Sequence, residues 1–99
     1  MLIDFADDDL KRLYVDAMFR LPALGSELTK AFRKVVGFAA RASDERDLRS
    51  MRSLHFEKLQ GQRAGQHSLR LNNQWRLIVR FEERTQGKTI VVLGVDDYH

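Results

Sequence analysis

Arg70 and Arg76 flank a polar triplet, Asn72-Asn73-Gln74, in a stretch whose hydrophobic period is two. Leu69 and Leu71 alternate with Ser68 and Arg70; Trp75, Leu77, Val79 and Phe81 alternate with Arg76, Ile78 and Arg80. This pattern predicts a hairpin, and its register can be worked out from the faces. A two-residue loop at 72–73 would pair Leu69 with Arg76 and mix apolar with polar side chains. A three-residue loop at 72–74 pairs Leu71 with Trp75, Leu69 with Leu77 and Arg70 with Arg76, which leaves one face cleanly apolar and directs Trp75 toward the core. Two guanidinium groups then stand side by side on the other face. Opposed like charges repel unless an acid or an anion lies between them, and a phosphate would fit. The alternative is pairing with an acid such as Glu82. Proton chemistry is available from the histidines: His99 exchanges a proton near neutral pH, and Tyr98 beside it can donate a hydrogen bond or stack on a ring. His67 alternates with Leu69 and Leu71 and is expected to be structural. His55, His67 and His99 are too scattered for a zinc site, and no metal or cofactor is expected.

The chain that must position these groups has 99 residues, no cysteine, one proline and a formal net charge of +3. Its length suits one domain over residues 1–99. Without cysteine there is no disulfide framework, thiolate metal site or catalytic thiol. Apolar runs such as Ile90 to Val95 are too short to cross a bilayer, and the start lacks the order of a signal peptide, so a soluble cytoplasmic protein is expected. Charge is unevenly spread. Residues 1–25 hold three Lys/Arg against five Asp/Glu, residues 26–71 ten against five, and residues 72–99 four against four. The basic middle suggests a polyanionic partner.

Leu2 to Phe5 reads as a short edge strand. Asp7, Asp8 and Asp9 suit a helix start, and Leu10, Leu13, Tyr14, Ala17 and Met18 share a helical face, predicting a first helix over 7–19. After Pro22 and Gly25, Ser26 is placed to cap a second helix with the stripe Leu28, Ala31, Phe32, Val35, Val36, Ala39 and Ala42. Its opposite face carries Lys30, Arg33, Lys34 and Arg41. Residues 43–65 lose periodicity and read as a long basic connection, of a length usually functional or disordered in a small domain. Strands through Leu69, Leu77 and the β-branched run Thr89 to Asp96 follow. The fold class is therefore α+β: a short N-terminal strand, two helices, then a three-stranded antiparallel meander.

The stretch from Leu54 to Leu77, LHFEKLQGQRAGQHSLRLNNQWRL, together with the closing Asp97-Tyr98-His99, resembles the RelE/ParE superfamily toxins of type II toxin–antitoxin systems, specifically the HigB type. The order of elements resembles that family over nearly the whole chain. The resemblance implies a small α+β toxin that cuts translated mRNA on the ribosome as a metal-independent endoribonuclease. It also implies a helix-turn-helix, HigA-like antitoxin that silences the toxin and, in complex with it, binds operator DNA.

Such cleavage needs a base for the 2′-hydroxyl, cations for the crowded phosphorane and an acid for the 5′-oxygen. Tyr98 or His99 would transfer protons, with His55 a second possible group, while Arg70, Arg76 and Lys58 would hold the scissile phosphate. Asn72, Asn73 and Gln74 would position nucleotides or simply make the turn, and Asp97 would orient His99 or bind a base edge. Many relatives carry a lysine where this chain has Gln60, so a further cation would come from Lys58, Arg63 or neither. Two alternatives remain open at the level of sequence: a ParE-like gyrase poison, and a degenerate member that only binds its antitoxin.

Overall fold

The computed structural model describes residues 1–97, so the expectations for Tyr98 and His99 lie outside the described residues. Strand β1 (Leu2–Phe5) is followed by helices α1 (Asp8–Val15), α2 (Gly25–Arg41) and α3 (Glu45–Ser50). Strands β2 (Glu57–Lys58), β3 (Gln66–Arg70), β4 (Trp75–Arg84) and β5 (Gly87–Asp97) complete the chain, with 3₁₀ turns at Arg52–Leu54 and Gly61–Arg63. The sheet order is β1-β5-β4-β3-β2, antiparallel except where β1 runs parallel to β5. The α+β expectation holds, with two additions. The expected N-terminal strand β1 sits at one edge of the meander β3-β4-β5, next to β5; the additions are the short strand β2 at the other edge and a third helix.

Helix α1 begins where the three aspartates place it: the Asp7 side chain accepts from the Leu10 N–H at 2.9 Å, and Asp8 and Asp9 lie in the first turn. It ends at Val15 rather than near residue 19. From α2, the Arg33 guanidinium donates to the carbonyls of Leu13 (2.8 Å), Asp16 (3.2 Å) and Phe19 (3.0 Å), and so takes the Leu13 carbonyl that a longer helix would have bonded internally and two carbonyls of the chain beyond it. Met18, expected on the apolar face, is 84% exposed as a result. Arg33 in turn is a clamp between helices, not part of a solvated basic face. Ser26 does not cap α2, which starts at Gly25, after Leu24, with no side-chain cap.

The apolar stripe of α2 is buried as its spacing predicts, with Phe32 and Val36 fully enclosed. With Leu10 and Leu13 of α1 it packs on one face of the sheet, against Leu69, Leu77, Val79, Ile90 and Val92. The first part of the 43–65 connection, up to residue 54, is folded onto this layer. Asp44 caps α3 by accepting from the Arg46 N–H at 2.8 Å, and Leu48 and Leu54 enter the core. Trp75, expected in the core, is half-buried at the strand's start and stands outside the buried cluster. No helix among the described residues is long and apolar enough to cross a membrane.

Candidate functional site

The hairpin register is the one the alternating faces require: Leu69 pairs with Leu77 and Arg70 with Arg76. The loop is 72–74. Asn72 Oδ1 accepts from the N–H groups of Gln74 (2.9 Å) and Trp75 (2.8 Å), and the Leu71 N–H bonds the Trp75 carbonyl at 2.9 Å. Pleat alternation puts Ser68, Arg70, Arg76 and Ile78 on the face away from the helices. On β5 the register slips between Ile78 and Val79: Ile78 pairs with Gly94 and Val79 with Val92, so Leu93 is an extra residue that bends the sheet there.

This face is walled by the 55–65 segment. Glu57 pairs with Ser68 across β2 and β3, which brings its carboxylate to 3.9 Å from Arg76. Arg63 forms an ion pair with Asp96, the cross-strand partner of Arg76, and so holds the far end of the segment over the sheet. His55 adopts a left-handed conformation (φ 43°, ψ 54°) and is the one non-glycine residue with positive φ among those described. Its carbonyl accepts a hydrogen bond from Arg76 Nη2, which also donates to Ser68 Oγ at 2.8 Å. The left-handed conformation costs roughly 1–2 kcal/mol for a residue with a Cβ. A charge-assisted hydrogen bond contributes about 1.5–3 kcal/mol, enough to offset it.

The result is a cavity of about 260 Å³ lined by His55, Glu57, Arg70, Asn72, Asn73 and Arg76. The two arginines differ sharply within it. Arg76 is 5% exposed, whereas Arg70 is half-buried, with Nη2 on Asn73 Oδ1 and Nε on the Asn72 carbonyl at 3.2 Å. Glu82, the acid considered as an arginine partner, instead bonds Arg80 and Arg84 at 2.8 Å each. Two fixed guanidinium groups beside a carboxylate and an imidazole can bind a phosphodiester and exchange a proton next to it.

A model of the HigB-like toxin family, described as RelE-like toxin of type II toxin-antitoxin system HigB, matches residues 3–99. The chain belongs to the HigB-like toxin family. Two solved structures share its fold. The YoeB/ParE toxin from Agrobacterium tumefaciens superposes with a TM-score of 0.56 at 16% identity, covering 100% of both chains. The YoeB-YefM complex from Staphylococcus aureus gives 0.58 at 17% identity, covering 100% of this chain and 98% of that one. No curated protein matches.

For this HigB-like chain, the predicted residues sort into three groups. His55, Arg70, Asn72, Asn73 and Arg76 share the cavity. Arg63 and Asp97 lie beside it, lining a neighbouring recess with Arg76; the Gln74 amide reaches this side through a 3.1 Å bond to Asp97. Lys58 is not brought in. Its cross-strand partner is His67, on the helix side of the pleat, so the 57–58 pair turns Glu57 rather than Lys58 toward the arginines. Glu57 and Asp96 were missed by the sequence reading, and the only signal for Glu57 was its position next to Lys58, one step out of phase.

His67 is structural, as the alternation suggested. Its ring stacks on Phe56 at 5.0 Å and meets Phe81 edge-on at 5.2 Å. Burial there, with Lys58 and Arg49 nearby, pushes its pKa below the usual imidazole range, partly opposed by Glu45. Among the described residues no group of three or more His, Asp or Glu side chains is placed to hold a metal ion.

Proposed function

We propose that this HigB-like toxin is an endoribonuclease that cleaves translated mRNA on the ribosome and thereby arrests growth. The observation that carries the reading is the Arg70/Arg76 pair, register partners that meet in one polar cavity with His55 and Glu57. In the proposed reaction the 2′-hydroxyl loses its proton and attacks the adjacent phosphorus. The bond from phosphorus to the 5′-oxygen then breaks, and that oxygen takes up a proton. Guanidinium charge in the cavity, presented to the substrate by Arg70, counters the charge that accumulates on the phosphorane. Glu57 and His55 are proton carriers on the cavity wall, and Tyr98 and His99 are proposed to act with them. No step calls for a metal or a cofactor.

Asn73, Gln74, Asp97 and Arg63 are proposed to contact flanking nucleotides at the rim. Asn72, with its side-chain oxygen committed to two backbone N–H groups, is proposed to shape the loop. The family and the Staphylococcus aureus complex support an antitoxin partner for this chain. A helix-turn-helix antitoxin that also carries the pair to operator DNA is the proposed form. We place the toxin in the cytoplasm, with its ribosomal target, as one 99-residue domain.

Induced expression tests the reading, comparing the wild type with Arg70→Ala and His99→Ala and mapping reporter mRNA by primer extension. Growth arrest with cuts confined to the translated region, lost in both variants, is expected. Arrest without mRNA cuts would point to a gyrase poison instead, and absence of arrest to a chain that only binds its antitoxin.

A further inference from the structure

We infer that the two arginines have separate jobs: Arg70 meets the phosphate, while Arg76 is a positioning residue that fixes His55, and with it the 55–63 wall, in the catalytic arrangement. The inference deepens the nuclease reading and rests on it. Arg76 is among the few buried polar residues of the chain, at 5% exposure, and its Nη2 carries two hydrogens. The acceptors around that nitrogen are the His55 carbonyl and Ser68 Oγ at 2.8 Å, with the Ser68 carbonyl at 3.4 Å and the Glu57 carboxylate at 3.9 Å. Both Nη2 hydrogens therefore have protein acceptors before any phosphate arrives, which ties that corner of the guanidinium to the wall. Ser68 is itself 1% exposed, so this bond lies deep under the segment.

The other end of the bond falls on a residue in an unusual state. A left-handed histidine does not hold its conformation by preference, and His55 sits where a 3₁₀ turn gives way to β2. Its carbonyl points down to Arg76, and the residue itself contributes to the wall of the cavity. Losing the guanidinium would free the backbone to return to negative φ, swinging the imidazole and the neighbouring Glu57 away from Arg70. Arg70, by contrast, reaches the cavity from a half-buried position and is tethered only to the rim loop, through Asn72 and Asn73.

The test separates phosphate binding from positioning. Binding of a labelled single-stranded RNA oligonucleotide is measured against salt for wild type, Arg70→Gln and Arg76→Gln. Removing one cation from a phosphate lowers the log–log salt slope by about 0.7 for single strands. We expect that reduction for Arg70→Gln and an unchanged slope for Arg76→Gln. Arg76→Gln should also move the His55 backbone resonances and HN–Hα coupling, and lower kcat on ribosome-bound mRNA by about 100-fold at similar KM. Arg76→Lys, which keeps the charge but not the fork, should fail to restore it. In a His55→Gly background, where positive φ is free of strain, Arg76→Gln should cost less than about threefold.

A salt slope reduced equally by both arginine variants, or a full loss on top of His55→Gly, would overturn the inference. If Arg76→Gln does not fold, Ser68→Ala takes its place: unmoved His55 resonances there would overturn it. A wild type that never cuts translated mRNA would sink the nuclease reading alone, because the slopes and the His55 resonances still decide which arginine touches phosphate.

Discussion

Asn72 stands at the point where a turn residue and an RNA-reading residue make opposite predictions. Its Oδ1 accepts two backbone N–H groups, from Gln74 at 2.9 Å and Trp75 at 2.8 Å, in an exposed loop. A net hydrogen bond contributes about 0.5–1.5 kcal/mol, and water takes over part of an exposed one, so Asn72→Ala should cost roughly 1–2 kcal/mol for the pair. In a chain of this size that lowers the unfolding midpoint by about 4–8 °C per kcal/mol. Asn72→Asp keeps an oxygen in the same place and should restore nearly all of the stability. Thermal unfolding by circular dichroism checks both, and amide exchange at Gln74 and Trp75 localises the effect: both amides should exchange faster in the alanine variant alone. An alanine variant with a wild-type midpoint but no RNA cleavage would refute the argument, because the side chain would then be acting on substrate and not on the loop.

Three further outcomes are expected. His67 is held below its ordinary pKa by burial, so below about pH 6.5 the unfolded chain binds a proton that the folded chain resists, and stability falls as pH drops below that point; His67→Phe should flatten the fall in urea titrations carried out above and below it, and an identical slope would contradict it. Leu48 is fully buried at the centre of α3, and Leu48→Ala should cost about 2–5 kcal/mol, read as a lower urea midpoint at unchanged m; a loss under about 1 kcal/mol would mean α3 is not docked. Arg33→Met keeps the stem but removes the hydrogen bonds to three carbonyls, and should cost about 2 kcal/mol with faster amide exchange across 13–19; unchanged exchange there would show that the clamp is dispensable.

What could be read from the sequence divides by range. The α2 stripe and the Arg70/Arg76 register were legible because each follows from periodicity within one element or across one tight hairpin. The early end of α1 was not, since its carbonyls are taken by a side chain from the next helix, with Arg33 and Leu13 20 residues apart. Helix α3 buries Leu48 alone, and six residues with one buried apolar position give no period to detect. The parallel pairing of β1 with β5 joins the two ends of the chain and leaves no local trace. Within the site the same rule applies. The hairpin face was predicted, whereas Glu57, Asp96 and the burial of Arg76 depend on how the 55–65 segment folds back over it.

That folding back also sets how the site can attract its substrate. Among the described residues lining the cavity and the neighbouring recess, Arg63, Arg70 and Arg76 are matched by Glu57, Asp96 and Asp97, three cations against three acids. Arg63 is already paired with Asp96, and Arg76 is shared between His55, Ser68 and Glu57. Little positive field remains there to draw a polyanion in from solution, although residues 26–71 carry an excess of basic residues. Such a cavity selects by geometry: it suits a phosphodiester already presented at short range, where one accessible guanidinium and fixed proton carriers are enough. In the proposed reaction the ribosome delivers the mRNA and so supplies that presentation.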